Sequence, residues 1–439
     1  MIVTDLQLSH VRAIQNAEFK FREGFNLLVG VNGVGKSTVL DALRICLSRV
    51  LRTAARTPSR SLTFQLTDIR SGLPFLEASL LLELEGEELR YSRLEWREEV
   101  AKDDARSIDA LRRQILDNER LRERPRNLLR ALVESQGLPD SDSFTPPAPY
   151  WRQKAKVLSS APLGVFFATN RSVLTSSSVR KGRREAGKDS AYANALVARP
   201  WDIGELAQWL KAQLALSTET QLAAQHAAVL QNAASRFLPG CTGLQPSDRP
   251  DATLLIEKAG TLLDVRQLSD GERGVLAMVL DLARRLSQAN EGVSDPLVEG
   301  QAVVLIDEID LHLHPSWQRM IVHNLQAAFP RCQFIATTHS PQVIGEVEHD
   351  RIQIIAGGQI YSPTHSYGVD SSRLLEEVMD TDPRTKAVQD LLTGISQTIG
   401  KQEFAHGREL LVQLVERLGE NDPEVTRIRT LLDFVEGKE

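Results

Sequence analysis

Nine residues, Gly30-Val31-Asn32-Gly33-Val34-Gly35-Lys36-Ser37-Thr38, constrain this chain more than any other stretch. They fit the phosphate-loop pattern G-x-x-x-x-G-K-[ST], with Gly30 as the first glycine and Ser37 as the hydroxyl. An apolar run from Phe25 to Val29 enters the loop, and Thr38 to Val50 leaves it with helical spacing. That is the strand–loop–helix setting the pattern requires. The residue types follow from the chemistry. Glycines let backbone N–H groups turn inward around a phosphate, and the helix N-terminus adds the positive end of its dipole. Lys36 has the reach to meet the β- and γ-phosphates, and the Ser37 hydroxyl suits Mg²⁺. Asn32, Gly33, Val34, Gly35 and Thr38 complete the cradle.

A second run, Ala302-Val303-Val304-Leu305-Ile306, ends in Asp307-Glu308. On a central parallel strand this delivers two carboxylates to the C-terminal edge, where ligands bind. Asp307 is then expected to hold Mg²⁺ through water. Glu308 is expected to orient and deprotonate the attacking water, because phosphoryl transfer needs positioning and control of charge. Gln333 to Thr337 is another short strand, followed by Thr338-His339-Ser340. A histidine at that strand end can bond a γ-phosphate, although a lone histidine is more often structural. Leu268-Ser269-Asp270-Gly271-Glu272-Arg273 precedes a helical stretch, Gly274 to Gln288. Ser269 and Gly271 at a helix start form a second anion-binding end, and Ser269-x-x-Glu272 is equally an ordinary capping box. Both can hold for the same atoms.

The chain has 439 residues, enough for a large core in two lobes. No apolar run approaches the roughly 20 residues of a membrane-spanning helix. Met1 to Leu8 alternates like a strand and not like a signal peptide. Cys46, Cys241 and Cys332 are three and scattered, which suggests a reduced cytoplasm and neither a disulfide framework nor a zinc site. Net charge is −6, unevenly spread: Arg152 to Lys188 carries nine Lys/Arg and one Glu, a segment of +8 that leaves −14 elsewhere. The total argues against general polyanion binding. The segment, with its Ser-rich loop Ser172 to Ser190, offers either a local patch for DNA, RNA or a protein, or a solvated loop.

In chain order, Ile2 to Leu8 and Ala17 to Phe21 predict paired strands, with Arg12 between them. The phosphate-loop helix is expected to run on through Arg44, Arg52, Arg56 and Arg60, whose spacing in fours makes one face basic and solvated. Phe75 to Leu84 and Leu89 to Trp96 predict a hairpin about Gly86. Ala101 to Glu134 is Arg- and Glu-rich with leucines at helical spacing. Leu163 to Thr169 predicts a buried strand, Trp201 to Leu238 helix, and Thr253 to Val265 a hairpin about Gly260. The expected organisation is an N-terminal lobe over 1–97, a mostly helical insertion over 98–240 carrying the strand at 163–169 and the basic loop, a second lobe over 241–379, and a helical tail over 380–439.

The set GVNGVGKST, LSDGER, VVLIDEIDLHLHP and TTHS resembles the ABC-type ATPases of the SMC and RecF class. LSDGER matches their signature with Asp270 where a glycine is usual. The resemblance implies an α/β, two-lobed P-loop ATPase head with a helical insertion and a short helical C-terminal tail, using ATP and Mg²⁺. It implies a homodimer or higher even oligomer in which two heads meet head to tail, so that Ser269 and Gly271 act on the partner's nucleotide. Asp310 matches the loop that crosses the interface, and His339 the switch histidine. His312 and His314 then belong to the interface segment and not to a metal pair. The glutamine sensor is less clear: Asn170 stands where glutamine is usual, with Gln65 a weaker candidate. Arg12 is assigned to the nucleotide site with them.

A finer similarity runs through PLGVFFATNRSV, FLPGCTGL, QLSDGERGVLAMVLDLARRL and SYGVDSSRLLEEVM. These resemble the ATPases of bacterial antiphage systems, especially the PtuA type of Septu and some retrons. That implies a separate effector, often an HNH nuclease. Rival functions are a RecF-like repair clamp on DNA and the ATPase subunit of a transporter. The transporter is disfavoured by the more than 200 residues between phosphate loop and signature. The tail divides into Lys386 to Ile399, Glu403 to Leu418 and Pro423 to Glu436, with Asp422 as a cap. Its apolar stripes are expected to pack on each other or to dock a partner.

Overall fold

The computed structural model describes residues 1–53, 60–73, 75–96, 141–154, 161–175, 188–238, 240–248, 253–379, 381 and 384–437. The expected charged helical stretch from Ala101 to Glu134 and the middle of the basic loop lie outside these residues. The chain forms two compact units, Met1–Val369 and Asp370–Glu439.

A six-stranded sheet centres the first unit, in the order Gln359–Tyr361, Ile352–Ala356, Phe25–Val29, Gln333–Thr338, Ala302–Ile306 and Leu163–Phe167. All pairs are parallel except the first, which is antiparallel. Phe25–Val29, Ala302–Ile306, Leu163–Phe167 and Gln333–Thr338 are buried at every position. This is why Leu163–Phe167 and Ala302–Ile306 read as unbroken apolar runs and not as alternation, while Asn26, Gln333, Thr337 and Thr338 in the other two strands are buried with hydrogen-bond partners. Register then places the function. Thr338 pairs with Val29, Ile306 with Ala336, and Ile306 with Phe167. The residues that follow these strands (Gly30, His339, Asp307 and Ala168) therefore emerge at one sheet edge.

A five-stranded antiparallel sheet, ordered Ile14–Lys20, Ile2–Val11, Phe75–Leu84, Glu87–Trp96 and Ser141–Thr145, forms the second layer. Its inner face shares one core with the Lys36–Thr53 helix through Leu6, Leu8, Phe19, Leu80, Leu43 and Leu47. A smaller sheet of Cys241–Pro246, Leu254–Lys258 and Thr261–Asp264 leads into the Asp270–Ala289 helix. Among the described residues, no helix is long and apolar enough to cross a membrane.

Several expectations shift. The phosphate-loop helix is described over Lys36–Thr53 and Arg60 is not helical, so the predicted basic face does not run to Arg60; Arg56 is outside the described residues. Arg44 lies 5.0 Å from the Phe166 ring and pairs with Asp41 at 2.7 Å. The strand expected to reach Thr169 stops at Phe167, and Thr169–Ser172 is a 3-10 turn. The helix expected from Gly274 begins four residues earlier, at Asp270.

The second unit contains helices Ser371–Glu377, Lys386–Gly400, Phe404–Leu418 and Pro423–Glu436. Asp422 caps the last, accepting the Glu424 N–H at 2.9 Å, and Pro423 begins it. The apolar stripes meet in a small core of Val388, Ile395, Leu411, Leu414, Val425, Ile428 and Leu432.

Candidate functional site

Gly30 is forced at the loop's entry, because a Cβ there would lie 2.5 Å from the Ile355 carbonyl oxygen at a φ of +155°. Lys36 is buried, and its Nζ donates to the carbonyls of Gly30 at 2.8 Å and Val31 at 3.0 Å. Burial lowers the Lys36 pKa, while Glu308, Asp307 and Asp310 oppose that shift. The ammonium is thus held over the loop within the field of three carboxylates. Asn32 and Gly33 are exposed, Val34 and Gly35 half-buried, and Thr38 buried at the helix start.

Asp307 lies across from the loop. The Ser37 hydroxyl is 3.4 Å from both of its carboxylate oxygens. Two hard oxygen donors this close suit Mg²⁺, which takes one or two protein ligands and fills its octahedron with water and phosphate. Among the described residues no cluster of three or more His, Cys, Asp or Glu could cage a metal by itself. The donor set therefore fits a nucleotide-borne Mg²⁺ better than a resident ion.

Thr337, which sequence reasoning did not single out, holds the Asp307 carboxylate and the Glu308 backbone. It is fully buried. Its hydroxyl donates to Asp307 Oδ1 at 2.8 Å and accepts the Glu308 N–H at 2.7 Å, and its carbonyl accepts the Ile309 N–H at 2.9 Å. On the other side the Asp307 N–H reaches the Phe167 carbonyl at 2.9 Å. Glu308 is held in the left-handed region at φ +47°. A non-glycine residue there persists only when its surroundings over-determine it. Thr337→Val is expected to strand the Glu308 N–H and to cost about 1–3 kcal/mol in urea unfolding, with slower turnover. Unchanged stability and turnover would show that the hydroxyl does not hold the pair.

Asp310 Oδ1 accepts from Thr338 Oγ1 at 2.6 Å and from the His339 N–H at 3.4 Å. His339 is half-buried. Burial lowers its pKa, Lys36 adds to the shift, and the carboxylates of Asp310, Glu308 and Asp307 oppose it. It is a neutral imidazole at pH 7, able to donate one hydrogen bond and accept another. His314 caps its own helix, its Nδ1 accepting the Ser316 N–H at 3.3 Å.

Ser269 caps the Asp270–Ala289 helix. Its hydroxyl accepts the Glu272 N–H at 3.3 Å, and the Glu272 carboxylate accepts the Ser269 N–H at 3.2 Å. Lys258 holds that carboxylate at 2.5 Å. Gly271 meets the Asp310 loop: a Cβ on it would lie 2.4 Å from the His312 carbonyl oxygen. The helix start and the loop after the carboxylates are therefore one packed surface.

Arg12 is exposed and already paired, its Nε 2.8 Å from Asp68 and its Nη1 2.7 Å from Asp41. Asn170 is exposed, and Gln65 caps the Leu66–Asp68 turn. It is the neighbour of Asn170, Arg171, that turns inward. Its guanidinium reaches the carbonyls of Asp307 at 2.6 Å and Glu308 at 2.5 Å. The sequence signal for it is a cation four residues past a buried strand.

The family described as "AAA domain, putative AbiEii toxin, Type IV TA system" matches residues 25–345. The chain is 37% identical over 206 residues to a protein of Escherichia coli named "Retron Ec83 probable ATPase", covering 46% of this chain and 38% of that protein. It is 40% identical over 83 residues to "Septu protein PtuA" of Bacillus mycoides (strain KBAB4), covering 19% and 11%. The chain thus spans well under two thirds of the length of these relatives. A solved Smc head bound to the C-winged helix domain of ScpA matches at a TM-score of 0.47 and 14% identity, covering 82% of this chain and 98% of that one.

Proposed function

The chain belongs to the AAA-domain family described as putative AbiEii toxin, Type IV TA system, and from that premise we propose a Mg²⁺-dependent ATPase whose sites form between two head-to-tail copies. The observation that carries this is the convergence of Lys36, Ser37, Asp307, Glu308 and His339 at one sheet edge, with Ser37 and Asp307 3.4 Å apart.

The loop N–H groups and Lys36 bind the β- and γ-phosphates, Lys36 exchanging its loop carbonyls for phosphate oxygens. Ser37 and Asp307 hold Mg²⁺, which when bound draws charge from the phosphate oxygens. Glu308 takes a proton from water as its oxygen attacks the γ-phosphorus. The bond from that phosphorus to the β-phosphate oxygen breaks, leaving ADP and inorganic phosphate. Neutral His339 donates to the γ-phosphate and loses that partner on hydrolysis. Ser269, Gly271 and Asp310 face the second copy and complete its site. Arg12 and Asn170 border the nucleotide.

Mixing subunits tests the composite site. A dimer of one Lys36→Ala and one Ser269→Arg subunit carries both lesions in one site and none in the other. Random mixing makes half the dimers mixed, so about one quarter of wild-type activity is expected from two nearly inactive parents. Activity no higher than the average of the two parents would reject completion in trans.

The similarity to retron and Septu proteins supports a role in antiphage defence in the cytoplasm. There the nucleotide cycle would gate a separate effector, an HNH-type nuclease, in response to DNA, RNA or another phage-derived trigger. Copurification of a nuclease with the tagged chain, dependent on the nucleotide state, tests that assignment.

A further inference from the structure

We propose that Arg171 is a positioning residue that fixes Glu308 for catalysis and ties it to the helix beginning at Ser269; this rests on the ATPase mechanism above. Arg171 is 6% exposed. Burial pulls its pKa down to about 10, so it stays charged at pH 7, with the charges of Asp307, Asp310 and Glu308 helping to keep it so. Its donors go to main chain: Nη1 to the carbonyls of Asp307 and Ala168 (3.2 Å), and Nη2 to the carbonyl of Glu308. A planar guanidinium presents two donors in a fixed fork and spans two successive carbonyls; an ammonium is a point donor. The two carbonyls belong to the residues whose side chains carry metal binding and proton transfer. Thr337 grips the same backbone from the opposite side. Glu308 at φ +47° therefore lies between two clamps.

The second connection runs to the Asp270–Ala289 helix. Gly274 packs on Arg171 and its neighbour: a Cβ there would sit 3.9 Å from Arg171 Cγ and 3.6 Å from Ser172 Cβ. Gly271, one turn earlier on the same face, lies against the His312 carbonyl. One face of this helix thus touches both the arm that holds Glu308 and the loop that follows it. A shift of the helix start on engaging a phosphate at Ser269 moves both contacts together, so occupation of the partner's site bears on the placement of this chain's base.

Two variants of the full chain separate grip from charge. Arg171→Lys keeps the charge and loses the two-carbonyl fork, and Arg171→Met loses both. In each, affinity for a fluorescent ATP analogue is expected to stay within about threefold while kcat falls about 10–100-fold, the cost of a misplaced reactive group. An equal loss of kcat in Arg171→Lys and Arg171→Met assigns the effect to the two-carbonyl fork and not to the charge. Wild-type kcat in folded Arg171→Lys would overturn the proposal. So would loss of nucleotide binding or of the folded state in both variants, since Arg171 would then hold the fold and not the base. Glu308→Gln measured alongside keeps the two ideas apart: hydrolysis that survives it sinks the ATPase mechanism itself, whatever Arg171 does.

Discussion

Glu308→Gln is expected to bind ATP as the parent does and to hydrolyse it about 10²–10⁴-fold more slowly, the range for loss of a general base. The amide has the same shape but cannot take a proton from water. The backbone beneath it is held by groups that ignore the side chain: Thr337 Oγ1 on the Glu308 N–H and Arg171 on the Glu308 carbonyl. The substitution therefore leaves the strand end in place, and Ser37, Asp307 and Lys36 still meet the nucleotide. Lys36→Ala should fail differently. It removes a buried cation from the loop interior and leaves three carboxylates facing the phosphates, so binding itself weakens. Steady-state phosphate release and direct nucleotide titration distinguish the two. Normal turnover by Glu308→Gln would mean that another group activates the water.

The sheet edge was legible because its strands are fully buried. A parallel strand covered on both faces is dominated by apolar residues: Leu163 to Phe167 and Ala302 to Ile306 are unbroken runs, the second ending in Asp307-Glu308, and Phe25 to Val29 is broken only by Asn26 before the glycine loop. The tail was legible for a different reason. Its helices carry stripes at i, i+4 spacing, and Pro423 after Asp422 marks a helix start whose geometry is local. What failed to show was anything decided by distance in space. Arg44, Arg52, Arg56 and Arg60 satisfy a helical period, but Arg60 lies outside the helix described over Lys36–Thr53. A period counted on the arginines alone runs straight through Pro58, whose missing N–H disfavours a continuing helix.

The holders of the catalytic pair were hidden for a related reason. Thr337 reads as one more β-branched strand residue, and only the register of Gln333–Thr338 against Ala302–Ile306 sets its hydroxyl between Asp307 and Glu308. Arg171 lies 136 residues from Asp307, whose carbonyl it binds. A buried arginine that bonds main-chain oxygens needs no carboxylate partner in sequence. Asn170 has the polarity of the expected sensor but is exposed, whereas its neighbour Arg171 is buried. Gly271 was read as part of an anion site. Its close approach to the His312 carbonyl gives the same glycine a packing reason, and the two are compatible because the helix start faces both.

Asp281→Asn is expected to destabilise the first unit by about 3–5 kcal/mol, the cost of leaving a buried charge without its partner. Asp281 lies on the Asp270–Ala289 helix and pairs with Arg285 at 2.7 Å, Arg284 at 2.8 Å and Arg199 at 3.4 Å. Arg285 is 1% exposed and also donates to the carbonyls of Ala191 at 2.6 Å and Ala193 at 3.1 Å. Glu205 meets Arg284 at 2.9 Å and Arg199 at 3.4 Å, so three arginines share two carboxylates and Asp281 carries the central share. Burial pushes the Asp281 pKa up, but the three arginines outweigh it and hold the carboxyl well below the usual carboxylate range. A depressed carboxyl stabilises the fold above its unfolded pKa of about 3.9, and that stability is lost as pH falls through the folded value. The deficit of Asp281→Asn relative to the parent should therefore be full at neutral pH and shrink toward strongly acidic pH. Urea midpoints measured across that range give the comparison. Replacing Asp281 and Arg285 together by leucine should cost less than Asp281→Leu alone, because the second change removes the charge that the first leaves unpaired, and Arg284 keeps Glu205. A double variant as unstable as the sum of the singles would mean that the charges are not coupled, and that the helix is held by packing alone.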